Sequence, residues 1–167
     1  MRDLVAGVVA LLLLLAAASL ATTLRYYRRR RNEARESESE RGRIIICEIP
    51  AGADLMLFSE DRSSFHLGER IIDKATIQAV RVLINGSPIA RYDSLRAKVG
   101  ATPPVTGFDD RPEGIERDRW DVAIDTETGT VMVECGSIRE RVSQELARKT
   151  FDAVKAAVER RDAAPRV

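Results

Sequence analysis

The sequence has few residues of the kinds that build catalytic and metal sites. Its 167 residues include one histidine, two cysteines and one tryptophan, and aromatic residues make up only 5%. Cys47 and Cys135 lack the paired spacing of a zinc site. Gly86, Gly107 and Gly129 form no phosphate-binding pattern, and each suits a turn or loop. These absences predict a protein that is not an enzyme and that holds no cofactor and no metal.

The remaining candidates for chemistry each have a simpler structural interpretation. His66 stands between Phe65 and Leu67, which is more typical of a hydrogen-bonded strand residue than of a general base. Both cysteines lie in strand-like runs, so they are predicted to be buried thiols in a reducing compartment, or one disulfide if this part of the chain is exported. Trp120 begins a strand-like run in which apolar and polar residues alternate. This favours a place in the core over a role as an anchor for a partner.

Residues 100–119 are rich in proline, glycine and charge, and they predict a long connection that is either functional or disordered. Its carboxylates suggest a divalent cation site, but arginines alternate with them and the spacing of a calcium loop is absent. A solvated loop is therefore the favoured interpretation. The acidic residues are Asp109, Asp110, Glu113, Glu116 and Asp118.

Charge is distributed unevenly along the chain, although the formal net charge is only +1. Residues 25–43 hold eight arginines against four glutamates, an excess of +4, whereas residues 44–167 carry 18 basic against 21 acidic residues, a net −3. A body that binds nucleic acid is expected to present a basic face. The mild acidity of residues 44–167 therefore argues against a nucleic-acid partner.

Residues 4–24 form the longest apolar run, 21 residues without a charge. At about 1.5 Å per residue a helix of this length crosses a hydrocarbon core of roughly 30 Å. The alternative is a cleaved signal peptide, because Ser19, Leu20 and Ala21 resemble a cleavage site, but the arginine-rich flank opposes its export. The run predicts a single-pass anchor in the cytoplasmic (inner) membrane, with the N-terminus outside and the C-terminal body in the cytoplasm.

The residues directly after the apolar run are predicted to meet the membrane surface. Aromatic rings favour the headgroup layer, and each arginine near anionic lipid contributes on the order of 1 kcal/mol of attraction. The alternative is a topology signal that recognises no particular lipid. The remaining residues up to 43 predict a solvated linker or a helical extension of the anchor. The predicted lipid contacts are Arg25, Tyr26, Tyr27, Arg28, Arg29, Arg30 and Arg31.

The rest of the chain shows the periodicity of a small antiparallel sheet followed by a helix. Strands are predicted at 44–49, 55–58 and near 65–67, and hairpins are predicted around Asn85-Gly86 and around residues 126–129. Each alternating strand is expected to bury one face. A capping box over residues 137–140 predicts a helix over 138–161. Its predicted apolar stripe is Ile138, Val142, Leu146, Phe151, Val154 and Val158.

The hairpin AVRVLINGSPIARYDSL and the terminal unit WDVAIDTETGTVMVECGSIRERVSQELARKTFDAVKAAV together resemble the bacterial pleckstrin-homology-like (PH-like) domain. Together with the apolar run at residues 4–24, the resemblance predicts an α+β protein: a transmembrane helix, then a small antiparallel β barrel or sandwich of about seven strands, then a C-terminal amphipathic helix. The corresponding segments are residues 1–24 as anchor, 25–43 as charged linker, 44–161 as PH-like domain and 162–167 as frayed tail.

The resemblance also implies a binding or scaffolding module rather than an enzyme. Lipid-binding members use a basic loop between their first two strands, whereas residues 50–54 contain no lysine or arginine, so a protein partner is favoured. We therefore expect a membrane-tethered scaffold that recognises a membrane protein at the cytoplasmic face. The alternative is a structural accessory subunit of a larger integral membrane complex, held through small residues of its transmembrane helix.

Overall fold

The computed structural model describes residues 2–51, 54–97 and 118–164, and side chains from residue 11 onward. The predicted loop at 100–119 therefore lies outside the described residues, except for Asp118 and Arg119. The chain divides into two compact units, Met1–Arg41 and Gly42–Val167.

The first unit is one helix, α1, over Arg2–Glu40. The residues after the apolar run are thus helical, and Arg29 and Glu33 form an ion pair of 2.9 Å one turn apart. Within the described part of the chain, no helix is long and apolar enough to cross a membrane. The predicted transmembrane anchor, the single-pass topology and the location at the cytoplasmic membrane are therefore wrong.

The second unit contains two antiparallel sheets of four strands each. A 3-10 turn over Lys74–Thr76 joins the sheets, and helix α2 over Arg141–Ala163 follows the last strand. The first sheet has the order β1 (Ile44–Ala51), β2 (Asp54–Glu60), β3 (Ser64–Leu67) and β4 (Arg70–Asp73). The second has the order β6 (Ser87–Asp93), β5 (Ile77–Ile84), β7 (Arg119–Thr126) and β8 (Gly129–Ser137).

The predicted fold class is wrong in its barrel as well as in its membrane helix. Among the described residues no strand of one sheet is hydrogen-bonded to a strand of the other. Strands β1 and β8 contact each other but do not pair, so the sheets do not close into a barrel. The strands number eight in that part of the chain rather than about seven. The prediction missed β4, whose four residues are too few to show a period.

Both predicted hairpins are confirmed. Asn85 has φ of 51° and Gly86 has φ of 80°, which is the left-handed backbone that a two-residue type I′ turn requires. In the second hairpin Thr126 pairs with Gly129 across a two-residue turn. The expectation of one buried face per strand is wrong for β5 and β7, because these central strands are buried on both faces: Ala123 and Val122 are each fully buried.

Helix α2 packs on the sheets through small side chains. It begins at Arg141, and Glu140 at its N-cap makes no side-chain capping bond, so the predicted capping box is wrong. The predicted stripe is also wrong at Val142, which is 67% exposed. Small residues let the helix backbone approach the sheets closely. A pattern of large apolar residues does not identify such a face. The buried residues of α2 are Ser143, Ala147, Thr150, Val154, Ala157 and Val158.

Arg161 and Asp162, here called the clamp, fasten the end of α2 to the turn that joins the sheets and to the second sheet. The Arg161 guanidinium donates to the carbonyl oxygens of Lys74 at 2.9 Å, Ala75 at 2.9 Å and Ile77 at 2.8 Å. The Asp162 carboxylate accepts from the Leu95 amide at 2.7 Å. Burial raises the pKa of Asp162, but the bonds from Arg161 and Leu95 outweigh it and leave that pKa below its ordinary value.

Candidate protein-binding cleft

A cleft of about 440 Å³ lies where the far end of β1 and β2, the turn between β3 and β4, and strand β8 come together. Its floor is apolar, and two of its side chains are methionines, which adapt their shape to irregular ligands. The apolar side chains that line it are Ile49, Pro50, Met56, Leu67 and Met132.

The turn between β3 and β4 sets the shape of one wall. Gly68 has φ of 58°, and a Cβ placed there would lie 3.4 Å from the Met56 sulfur. The side chain of Met56 therefore lies over this turn, and a glycine suits the turn because it adopts positive φ without strain. Leu67 is buried beside it. Local sequence thus positions Met56 and Leu67 at the cleft.

The rim of the cleft is charged and mostly negative. Glu69, Arg70 and Glu134 line it, which gives two carboxylates against one guanidinium. Glu134 is 61% exposed and its carboxylate lies 2.8 Å from Arg119 Nη1. Arg119 also pairs with the buried Asp121 at 2.9 Å. The acidic side of the rim is therefore held in place by a partly buried ion-pair network.

A second ion pair supports the same face of the sheet beside Met132. Arg81 donates to both carboxylate oxygens of Asp125 at 2.8 Å each, and the Thr130 hydroxyl donates to Asp125 at 2.6 Å. Two parallel bonds fix a guanidinium and a carboxylate in one geometry. Strand β8 is thereby held rigidly against β7, which gives the cleft a preformed wall.

His66 has the structural role that its neighbours in the sequence predict. It is 5% exposed in β3, and its Nε2 lies 2.7 Å from Asp61 Oδ2. Asp61 also accepts from the amides of Ser63 at 2.8 Å and Ser64 at 2.7 Å. The bond with His66, and then those from Ser63 and Ser64, hold the pKa of Asp61 well below its ordinary value. In the described ranges no group of three or more metal-binding side chains comes together.

The lowered pKa of Asp61 predicts an acid-sensitive contribution to stability. A carboxyl whose pKa is lower in the folded chain stabilises the fold above its unfolded pKa of about 3.9, and this contribution is lost as pH falls through the folded value. We expect the free energy of unfolding of Asp61→Asn to fall less than that of the wild type between pH 5 and pH 2. Urea unfolding across this range measures it. The exposed Asp152→Asn serves as control, and an identical pH profile for Asp61→Asn and wild type would contradict the assignment.

The two cysteines are buried free thiols, as predicted for a reducing environment. Cys47 Sγ lies 3.4 Å from the hydroxyl of Thr150 on α2. Burial raises the pKa of Cys47, and burial, followed by the nearby Cys47, raises the pKa of Cys135 to about 12. Thiols in this state stay protonated and are poor nucleophiles.

Trp120 and Asp118, which the sequence singled out, do not line the cleft. Trp120 packs against the core, in agreement with its predicted position, although its indole N–H has no hydrogen-bond partner among the described residues. Asp118 accepts from Asn85 Nδ2 at 3.3 Å, which is a structural role. Residues 25–31 lie on α1 with exposed side chains, and their contact with anionic lipid stays a prediction.

Sequence reasoning missed the cleft because its walls come from strands that are far apart in the chain. Met56 and Met132 each read as an ordinary member of an alternating strand. The only local signal was Pro50, which the sequence suggested as the end of a strand rather than as part of its edge.

Comparison of the chain with models of protein families, with curated proteins and with solved structures finds no match. The resemblance to PH-like domains therefore stays a prediction from element order and hydrophobic pattern.

Proposed function

We propose that this chain is a non-enzymatic binding module that recognises a protein partner through the cleft between β1, the β3–β4 turn and β8. The observation that supports the proposal is the cleft itself. Its volume of about 440 Å³ falls in the range of ligand sites, roughly 300–1,000 Å³. Its apolar floor under a charged rim has the composition of a surface that buries an apolar side chain of a partner.

The charges around the cleft favour a protein over a phosphorylated ligand. Glu69 and Glu134 outnumber Arg70 at the rim, and the strands on either side of the cleft, residues 48–51 and 55–57, contain no lysine or arginine. A phosphate group needs convergent cationic or amide donors. The rim instead repels an anionic headgroup, which is consistent with the absence of basic residues in the first hairpin.

Introducing a charge into the cleft should remove the partner. Met132 is half-buried on the outer face of β8, so Met132→Glu places a carboxylate in the apolar floor with little effect on the core. We expect the main partner to be captured at least tenfold less by this variant, as measured by affinity purification from crosslinked native cells with quantitative mass spectrometry.

The matched control is Ile89→Glu, because Ile89 is 56% exposed on β6 and does not line the cleft. It introduces the same charge on the same sheet and should retain the partner. Equal capture by wild type, Met132→Glu and Ile89→Glu would show that recognition lies elsewhere. Circular dichroism establishes that all three chains are folded.

A further inference from the structure

We propose that the partner segment is an extended peptide that adds to the second sheet as a new strand, beside the cleft, along the edge of β8 that β1 contacts without pairing, with an apolar side chain in the cleft. This inference rests on the proposed function and names its mode of binding. It follows from the chemistry of the four strands at the sheet edges, β1, β4, β6 and β8.

Two of these edges carry a proline, whose backbone nitrogen faces outward and has no hydrogen to donate. Ala51 and Asp54 form the closing pair of β1 and β2, with two residues between them in the chain, and Ile84 and Ser87 form the closing pair of β5 and β6. Such closing pairs are hydrogen-bonded, and hydrogen-bonded and non-hydrogen-bonded pairs alternate along an antiparallel ladder. Pro50 and Pro88 occupy the next, non-hydrogen-bonded positions, so their backbone nitrogens face away from the sheet. Proline at such a position blocks the addition of a strand.

The third edge, β4, is protected by its length and charge. It contains only four residues, and it begins with Arg70 and ends with Asp73. Short, charged edge strands are a common protection against unwanted pairing. In contrast, β8 spans nine residues, Gly129–Ser137, and contains no proline. Among the described residues it pairs only with β7.

The open backbone groups of β8 coincide with the cleft. Thr126 and Gly129 form the hydrogen-bonded closing pair of the second hairpin, and the register continues without interruption to Glu134. By the same alternation, the N–H and C=O groups of Thr130, Met132 and Glu134 point away from β7. The side chains of Met132 and Glu134 line the cleft. A peptide on this edge therefore gains backbone hydrogen bonds while its side chains reach the cleft.

The lining defines the class of peptide. In an added strand, alternate side chains point to the same face, so one apolar residue can enter the floor formed by Met56, Leu67 and Met132. Glu69 on the rim, whose carboxylate is not in an ion pair with a described residue as Glu134 is with Arg119, favours a lysine or arginine two positions away on that face. The predicted ligand is an extended segment in which a basic residue lies two positions before or after an apolar residue.

Proline substitution in β8 tests this mode of binding. The probe is a library of random dodecapeptides on phage, selected on the full chain, and the selected peptides are then titrated by calorimetry. Glu134→Pro removes an outward N–H without breaking the ladder to β7, whereas the control Glu134→Ala removes the same carboxylate and keeps the N–H. We expect Glu134→Pro to bind at least tenfold more weakly than Glu134→Ala. We also expect slower hydrogen exchange at the Met132 and Glu134 amides with peptide bound.

The outcomes separate this inference from the proposed function. Suppose that the selected peptides bind wild type but not Met132→Glu, bind Glu134→Pro and Glu134→Ala with equal affinity, and protect no amide. This result would overturn strand addition and leave the binding cleft in place. Peptides that bind Met132→Glu as tightly as wild type would count against both. A concentration-dependent dimer that Glu134→Pro abolishes would identify a second copy as the occupant and overturn the peptide. If Glu134→Pro does not fold, Thr130→Pro against Thr130→Ala makes the same comparison.

Discussion

Replacing Arg161 with alanine is expected to lower the free energy of unfolding by about 3 kcal/mol, because it leaves several acceptors without their donor. The guanidinium is 16% exposed and bonds the carbonyl oxygens of Lys74, Ala75 and Ile77 as well as the Ser94 hydroxyl. Lys74 and Ala75 lie in the 3-10 turn that joins the two sheets, Ile77 begins β5, and Ser94 follows β6. Arg161→Ala removes these bonds and leaves the bond from the Leu95 amide to Asp162 to hold the end of α2.

Urea unfolding of three variants isolates this effect. Arg160 precedes Arg161 on the exposed side of α2, so Arg160→Ala should change the free energy of unfolding by less than about 0.5 kcal/mol. Arg161→Lys keeps the charge but not the planar set of donors, and an intermediate loss is expected. Equal stabilities for Arg160→Ala and Arg161→Ala would show that the clamp contributes nothing measurable.

Replacing Gly136 with alanine is expected to cost about 3 kcal/mol for two separate reasons. The residue has φ of 110°, a backbone conformation that side chains rarely tolerate, and its Cβ would lie 2.6 Å from Ser143 Oγ. Ser143 is 1% exposed near the start of α2, so it has little room to move. The added methyl group must displace either β8 or the first turn of the helix.

A matched glycine separates strain from collision. Gly129 has φ of 148°, but a Cβ placed there meets nothing within 4 Å, so Gly129→Ala reports backbone strain alone. Gly136→Ala should lose more stability than Gly129→Ala in thermal or urea unfolding, and the double variant Gly136→Ala with Ser143→Ala should recover part of the difference. If the double variant is no more stable than Gly136→Ala, the collision with Ser143 is not the cause.

The sequence predicted those strands and turns that are determined by a few neighbouring residues. Asn85 and Gly86 identify a type I′ turn by conformational preference alone, so the hairpin around them was predictable. The buried face of α2 was predictable only in its second half, where Val154 and Val158 belong to the predicted stripe. Its first half consists of Ser143, Ala147 and Thr150 rather than of large apolar residues. How closely a helix approaches a sheet depends on the packing of the whole core, which periodicity does not report.

The cleft and its edge strand were beyond sequence reasoning for a similar reason. Met56 and Met132 are brought together only when two sheets meet at a corner, and no spacing rule connects them. Pro50 was predicted from the sequence to end a strand, and Pro88 was not interpreted. Their meaning as protected edges depends on register, which requires the turn type and the pairing partner to be known.

The clamp at the end of α2 has a consequence for how the chain folds during synthesis. Arg161 bonds residues 84 to 87 positions earlier in the chain, and Asp162 bonds Leu95, 67 positions earlier. Contacts over such separations form slowly because long loops must close first. Strands made early therefore remain uncovered on the ribosome until residue 162 has emerged. A pause in translation before that point prolongs the exposure of both sheets.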